Sequence, residues 1–226
     1  MCFSPTASFT VAATLSVISA LSFKEAPNFK WRLFALTPFF FAIQQAFEGF
    51  VWLTLLKGDS SSFLHHYSVL GFIFFASLFW PCWIPEIFYL LETNVKRRIL
   101  LAFSQSFGVI FAIVAAAQIY THGVTARIAD HHIAYDLSWQ KQVLTSFPDY
   151  LVYPIGTAVY LIAVLLPFFF SSVSLAWLLG LIIALGFIVA QISYAAAFGS
   201  VWCFFAAVAS IVAYIIIRRE KRNGMR

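Results

Sequence analysis

Glu48 is the residue with the most conspicuous chemistry in this sequence, because it stands inside a long apolar stretch. A carboxyl group in such a stretch is costly to bury and usually faces the interior of a helix bundle or a cavity. Gln44 and Trp52 lie one helical turn to either side and Gln45 lies three residues before, so these side chains can share one helix face. Polar groups that converge between aromatic walls are typical of a small-ligand pocket, and they also occur as hydrogen-bond networks that fix helix register.

Histidine side chains are the next candidates, because imidazole is a common ligand of zinc and copper. His65 with His66 and His131 with His132 form two adjacent pairs, and each pair can offer one ligand if its segment is extended. The spacing matches no established metal-binding pattern. The alternative is that these are ordinary histidines of interfacial loops.

Cysteine positions allow one disulfide hypothesis. Cys2 and Cys203 are both expected near the outer surface, which is the oxidising side in bacteria. Cys82 is expected near the middle of the membrane, out of reach of both. We therefore predict a Cys2–Cys203 disulfide that fixes the N-terminus to the last span.

Pro81 and Pro85 stand four residues apart in an aromatic segment. Each proline removes a backbone donor, so we expect a kinked helix here. Carbonyl groups freed in this way inside a bundle can line a cavity or accept a hydrogen bond from a polar side chain. Glu86, close to the basic residues 96–98, is expected to pair with one of them, or to serve in gating or proton relay.

The elements that position these residues follow from the composition. Hydrophobic residues make up 62% of the 226 residues and charged residues only 10%, against roughly 25% in a soluble domain. Fourteen basic and nine acidic side chains are too few to cover a soluble fold of this size. The composition therefore excludes a soluble enzyme, a nucleic-acid-binding protein and a disordered chain, and predicts a membrane protein whose partner is the lipid bilayer.

Seven segments approach the length of about 20 apolar residues that a membrane span requires. They are about 5–23, 33–56, 68–91, 99–121, 150–170, 173–192 and 196–217. We therefore predict a single all-α transmembrane domain, a seven-helix bundle whose first helix starts at Pro5 with Ser4 as its N-cap. The longest loop, 122–149, is predicted outside, where the alternating segment 133–137 favours either a short hairpin or an irregular cap.

The basic residues give the orientation. Eleven of the 14 fall between spans 1 and 2, between spans 3 and 4, or after span 7, and the other three are Lys57, Arg127 and Lys141. The positive-inside rule makes the first side cytoplasmic. The N-terminus is thus predicted outside and the C-terminus inside, as an odd number of spans requires.

This orientation places Glu48 in the outer third of the membrane, about 22 Å from the cytoplasmic start of span 2 at 1.5 Å per residue. Spans 1 and 7 both start outside and bring residues of their own to a similar depth. The predicted ligand pocket consists of Ser8, Gln44, Gln45, Glu48, Trp52, Trp80, Trp202 and Cys203.

Three stretches carry a family resemblance. The chain opens with Met-Cys-Phe-Ser at 1–4, has Gln-Gln-Ala-Phe-Glu-Gly-Phe-Val-Trp at 44–52 and Ser-Val-Trp-Cys-Phe-Phe-Ala-Ala at 200–207. They resemble a family of uncharacterised prokaryotic seven-span membrane proteins, apart from Pro5, where an alanine would be expected. The resemblance covers nearly the whole chain. It implies a prokaryotic cytoplasmic membrane, and it brings no known activity and no catalytic residues.

Two better-known seven-span classes can be tested residue by residue. A retinal-binding rhodopsin needs a lysine in its last span, whereas the first basic residue here is Arg218 at the end of that span, which argues against retinal. Ceramidase-like and adiponectin-receptor-like hydrolases hold zinc with histidines inside their spans, and no predicted span interior here contains a histidine. The sequence names no other cofactor.

We therefore expect an integral membrane binding protein, such as a sensor, carrier or accessory subunit, with an outward-facing pocket around Glu48. Its ligand would be a small amphiphile or a lipid. One alternative is a metal-dependent membrane hydrolase at the outer interface, with histidine ligands and Glu48 as acid or base. Another is a structural subunit that packs in a larger membrane complex through its aromatic faces.

Overall fold

The computed structural model describes residues 4–129, 131–137, 149–193 and 198–223. These residues form nine α-helices, one π-helical segment and two β-strands. The elements are α1 Pro5–Glu25, α2 Phe29–Ala35, α3 Thr37–Leu56, α4 Phe63–Ile73, the π-helical segment Phe74–Phe79, α5 Trp80–Leu91, α6 Val95–His122, β1 Val124–Ala129, β2 His132–Leu137, α7 Asp149–Phe170, α8 Ala176–Ser193 and α9 Phe198–Asn223.

Within the described part of the chain, four helical stretches are long and apolar enough to cross a membrane. They are Pro5–Glu25, Phe29–Leu56, Phe63–Leu91 and Val95–His122. Shorter apolar helices cover Ile155–Phe170 in α7 and Ala176–Ile192 in α8. The fold is therefore largely helical, and its longest helices match the thickness of a bilayer by length and composition.

Capping side chains set the helix starts. Ser4 Oγ accepts a hydrogen bond from the N–H of Ala7 at 3.2 Å, and Pro5 follows as the first helical residue, which confirms the predicted start of α1. Asn94 Oδ1 accepts from the N–H groups of Lys96 and Arg97 and starts α6 in the same way.

The second apolar segment is helical from Phe29, four residues before the predicted start at 33, and it is interrupted at Leu36 between α2 and α3. Pro38 lies just after this break. Because proline has no N–H group, it cannot donate to the carbonyl four residues earlier, and this favours two helices over one.

The segment after α6 forms an antiparallel hairpin in which Ala126 pairs with Tyr135 and Ile128 with Ile133. Of the two alternatives that the alternating sequence left open, the hairpin is the one that forms, and it adds a two-stranded sheet to a fold predicted as all-α. Ile133 is fully buried because the hairpin covers the end of α3. The described helices therefore have a small β-cap at one end, which we call the hairpin end.

The opposite end is identified by contacts between helix termini. Lys221 of α9 forms an ion pair with Glu25 of α1 at 3.2 Å, and Phe34 of α2 packs edge-on against Phe88 of α5. The described basic side chains at these termini are Lys24, Lys30, Arg32, Lys96, Arg97, Arg98, Arg218, Arg219, Lys221 and Arg222. We call this part of the molecule the basic end.

Candidate functional site

The polar side chains of α3 form the centre of the candidate site. Gln44, Gln45 and Glu48 have exposed fractions of 0%, 1% and 0%. Gln45 Nε2 donates a hydrogen bond to Glu48 Oε2 at 3.2 Å, across the spacing that places two residues on one helix face. Because buried polar groups are costly unless they are hydrogen-bonded, this network determines which face of α3 points into the protein.

Trp80 joins the network from α5. Its indole Nε1 donates to Gln44 Oε1 at 2.7 Å, and its ring stacks on Phe41 with 3.8 Å between ring centroids. A second such bond lies about one turn along α5 and two turns back along α3, where Trp83 Nε1 donates to Thr37 Oγ1 at 3.1 Å. Two indole hydrogen bonds therefore hold α5 against the polar face of α3.

The start of α1 lies beside the same part of α3. Ser8 is completely buried, and its Oγ has no hydrogen-bond partner among the described residues. The next residue, Phe9, packs its ring so closely on Gly49 that a Cβ at Gly49 would lie 2.7 Å from it. Because Gly49 follows Glu48, the structure brings Ser8 to the level of the buried carboxyl group.

Two other predicted pocket residues also contact further parts of the fold. Trp52 is buried at the hairpin end, in one apolar cluster with Val69 and Ile133. Trp202 donates from Nε1 to the carbonyl of Ile183 at 3.0 Å. Cys2 and the side chain of Cys203 lie outside the described residues, and so does the disulfide predicted between them.

The π-helical segment before Pro81 has a carbonyl group without a donor from its own helix. In this segment the N–H of Trp80 donates to the carbonyl of Phe75, five residues earlier. The next donor in this register would be Pro81, which has no N–H group, so the carbonyl of Ala76 is left over. Tyr160 of α7 fills this position, with its hydroxyl donating to the Ala76 oxygen at 2.8 Å.

Pro85 has a parallel effect one turn further on. In an α-helix its N–H would bond to the carbonyl of Pro81, so that oxygen also lacks its helical donor. The oxygen points at Gly108 of α6, where a Cβ would lie only 1.8 Å away. An approach this close leaves room for no side chain, and it brings the Cα–H group of a glycine against a carbonyl oxygen.

The sequence predicted a kink and freed carbonyls at Pro81 and Pro85, but it did not identify Tyr160 or Gly108 as the groups that meet them. Neither residue carries a local signal. Tyr160 is one of nine tyrosines and Gly108 one of ten glycines, and each meets its carbonyl only across a helix interface.

Substitution of Tyr160 by phenylalanine tests the first of these contacts. We expect Tyr160→Phe to lower the free energy of unfolding by about 1–2 kcal/mol, because the part-buried Ala76 carbonyl, which has no donor from its own helix, loses this hydrogen bond. Thermal unfolding in a mild detergent measures the effect. Tyr120→Phe is the matched control, since Tyr120 is 91% exposed, and equal loss in the two variants would contradict the role given to the Ala76 contact.

Glu92 forms a second buried polar cluster, at the basic end, which the sequence did not single out. It follows α5 and is only 3% exposed. Its Oε1 accepts hydrogen bonds from the N–H groups of Thr93 and Asn94 and from Ser172 Oγ, and its Oε2 accepts from the Ser172 N–H at 2.6 Å. One carboxylate thus joins the α5–α6 loop to the α7–α8 loop.

The hydrogen bonds also set the ionisation of Glu92. Burial by itself would raise the pKa of this carboxyl, but the hydrogen bonds from Ser172, Asn94 and Thr93 stabilise the charged form more strongly. Together they hold its pKa below the usual value of 4.5. Glu92 therefore stays ionised at neutral pH.

The described part of the structure does not bring the four histidines proposed as metal ligands together in one group. His65 is buried, with Nδ1 2.9 Å from Thr54 Oγ1, while His66 and His131 are exposed and His132 is buried in β2. Within the described ranges, no three His, Cys, Asp or Glu side chains are grouped so that they could hold a metal ion.

Glu86 was expected to pair with a basic residue near 96–98. Its Oε2 instead accepts a hydrogen bond from Gln105 Nε2 of α6. The expectation of a basic partner followed from closeness in sequence, whereas Gln105 is one of the residues that α6 turns toward α5. The contact therefore joins α5 to α6 through a neutral amide rather than through a cation.

The fold and this buried network define a largely helical protein with helices suited to cross a membrane. The chain belongs to a family of unknown function, DUF6629, whose family model matches residues 1–226. This confirms membership of an uncharacterised family over the whole chain. No curated protein and no solved structure matches the chain.

Proposed function

We propose that this chain is an integral membrane binding protein, a sensor, carrier or accessory subunit, that recognises a small amphiphile at the α3 network. Glu48 supplies the charged or hydrogen-bonding group, and Gln45 and Ser8 supply further polar contacts. The aromatic rings of Trp80 and Phe41 supply the apolar wall.

The observation that supports this proposal most directly is the burial of an unpaired hydroxyl at the level of a buried carboxyl group. Ser8 Oγ has no hydrogen-bond partner among the described residues, and a buried hydroxyl without a partner is destabilising. Buried polar groups that lower stability are retained more readily where a ligand uses them. The polar head of an amphiphile would satisfy the hydroxyl, and its chain would extend along aromatic surface.

We place this site in the outward half of a seven-span bundle in a prokaryotic cytoplasmic membrane, with the N-terminus outside. The distribution of basic residues supports this orientation through the positive-inside rule. The Glu48 network lies toward the hairpin end, because Trp52, one turn further along α3, packs under the hairpin. A ligand would therefore enter from the outer leaflet or the outer surface.

The test is thermal unfolding of the full chain in detergent with decylamine, decanol or decanoate added. At about 100 times its Kd, a ligand stabilises a protein by about 2.7 kcal/mol, so we expect one of these probes to raise the midpoint of the wild type by about 5 °C or more. We expect Glu48→Gln to abolish a shift caused by decylamine, because the amide cannot carry the charge that pairs with the ammonium group.

Glu86→Gln is the matched control, because it makes the same change in a carboxyl group whose partner is on α6. We expect this variant to keep the shift. If none of the three probes stabilises the wild type, or if both variants lose the shift equally, the binding proposal fails.

A further inference from the structure

The basic end carries a charge that its own acidic residues do not neutralise. Ten described Lys and Arg side chains lie there, against three acidic residues, Glu25, Glu92 and Glu220. Among the residues that the structure describes at this end, one ion pair forms, between Lys221 and Glu25. The basic end therefore presents a strong positive field to whatever lies against it.

Glu92 is close in sequence to the three cations at the start of α6, but its carboxylate is already occupied. All four of its hydrogen bonds come from backbone N–H groups and Ser172. The carboxylate is 3% exposed, whereas Lys96 and Arg97 are both exposed, and the ion pairs between described residues do not include it. Glu92, the acidic residue closest in sequence, therefore does not neutralise the positive charge of the first turn of α6.

The first turn of α6 is unusual in its charge. Helix N-termini carry partial positive charge and favour acidic residues, whereas this turn has none and carries Lys96, Arg97 and Arg98. Each cation is unfavourable there in isolation. An anion bound against the turn would interact favourably with both the cations and the positive end of the helix.

Aromatic rings and exposed apolar side chains lie near the cations of the basic end. The Arg98 guanidinium carbon lies 4.5 Å from the centre of the Tyr89 ring, and that of Arg32 lies 5.6 Å from the Phe23 ring. Phe29 and Val95 are 72% and 71% exposed at this level. Cations interleaved with exposed apolar side chains are typical of segments at the boundary between lipid headgroups and acyl chains.

We propose that the basic end binds the headgroups of anionic phospholipids, and that the first turn of α6 is the main contact. Lys96 and Arg97 face the phosphodiester oxygens, while Val95 lies against the acyl chains. The complementary charge identifies the occupant, and the exposed apolar residues favour a lipid over a soluble anion. This inference concerns the opposite end of the molecule from Glu48 and goes beyond the binding function proposed there.

The test is a lipid titration of the full chain in detergent micelles, read by native mass spectrometry, with dioleoyl phosphatidylglycerol compared with dioleoyl phosphatidylcholine. Each juxtamembrane Lys or Arg contributes about fivefold to affinity for an anionic lipid surface. We expect the wild type to retain the anionic lipid preferentially. We expect the double variant Lys96→Gln, Arg97→Gln to bind it about 25-fold more weakly.

The control is Lys57→Gln combined with Arg127→Gln, which removes two charges at the hairpin end and should leave the preference unchanged. Thermal unfolding of the wild type in vesicles gives a second measurement. A 7:3 mixture of the two lipids should raise the midpoint over phosphatidylcholine alone, and 0.5 M salt should reduce that increase. Equal retention of the two lipids by the wild type, equal weakening in both double variants, or an increase that salt leaves unchanged would each overturn the proposal.

Discussion

Gly108→Ala is expected to cause the largest loss of stability of any single methyl addition in the described helices, about 3 kcal/mol or more. The added Cβ would lie 1.8 Å from the carbonyl oxygen of Pro81 and 2.7 Å from its carbonyl carbon. These are backbone atoms, so no side-chain rotation relieves the overlap. The α6 and α5 helices must separate, which also disturbs the contacts around Pro81.

Helix propensity acts in the opposite direction and is too small to compensate. Alanine is favoured over glycine in a helix interior by about 1 kcal/mol. Gly156→Ala isolates this effect, because nothing lies within 4 Å of the position of its Cβ. We expect Gly156→Ala to be neutral or slightly stabilising, and denaturant or thermal unfolding in mild detergent would compare the two variants.

Equal stability of the Gly108→Ala and Gly156→Ala proteins would contradict the close approach of α6 to Pro81. A loss at Gly108 alone would support the view that the prolines shape this interface. Because Pro85 has no N–H group, the Pro81 oxygen lacks its helical donor, and Gly108 allows α6 to approach that oxygen.

Glu92→Ala is expected to give the second large loss, about 3 kcal/mol, because three backbone N–H groups and one hydroxyl lose a charged acceptor together. The α5–α6 and α7–α8 loops would also lose the residue that joins them. Thermal unfolding at pH 7 measures the loss. Glu220→Ala, another loss of a carboxylate at the basic end, is the control and should change stability much less.

The same carboxylate predicts a dependence on pH. The pKa of Glu92 in the folded protein is lower than its usual value of 4.5, so the folded state binds this proton less tightly than the unfolded state does. Its contribution to stability is therefore complete above pH 4.5 and is lost as the pH falls through the depressed folded value. The difference in stability between wild type and Glu92→Ala should shrink in that acidic range, and a constant difference down to the lowest pH would contradict this assignment.

Local patterns predicted several features correctly. Ser4 caps α1, and the alternating residues 133–137, which left a hairpin and an irregular cap open, lie in a strand of a hairpin. The spacing of Gln45 and Glu48 predicted that their side chains share a face, and they are hydrogen-bonded to one another. Such features depend on residues within one or two turns or on the period of the element, so the sequence contains all the information they need.

The sequence was less informative about partners across helices. The basic residues 96–98, closest to Glu86 in sequence, lie in the first turn of α6, yet its hydrogen bond comes from Gln105 further along that helix. Glu92 resembled an ordinary loop carboxylate, although Ser172, eighty residues further along the chain, makes it a buried one. A pairing of this kind depends on how two helices are rotated and aligned, and no local pattern records that rotation.

The sequence by itself determined that this protein is a largely helical chain suited to a membrane, because the proportion of apolar residues limits the solvents in which the chain can fold. It also determined that carbonyl groups would be freed at Pro81 and Pro85, because the proline ring removes a donor wherever it stands. Only the tertiary structure decided that Tyr160 meets one of them and Gly108 the other. Those contacts arise from the packing of α7 against the π-helical segment and of α6 against α5, which depends on many side-chain contacts spread along the chain.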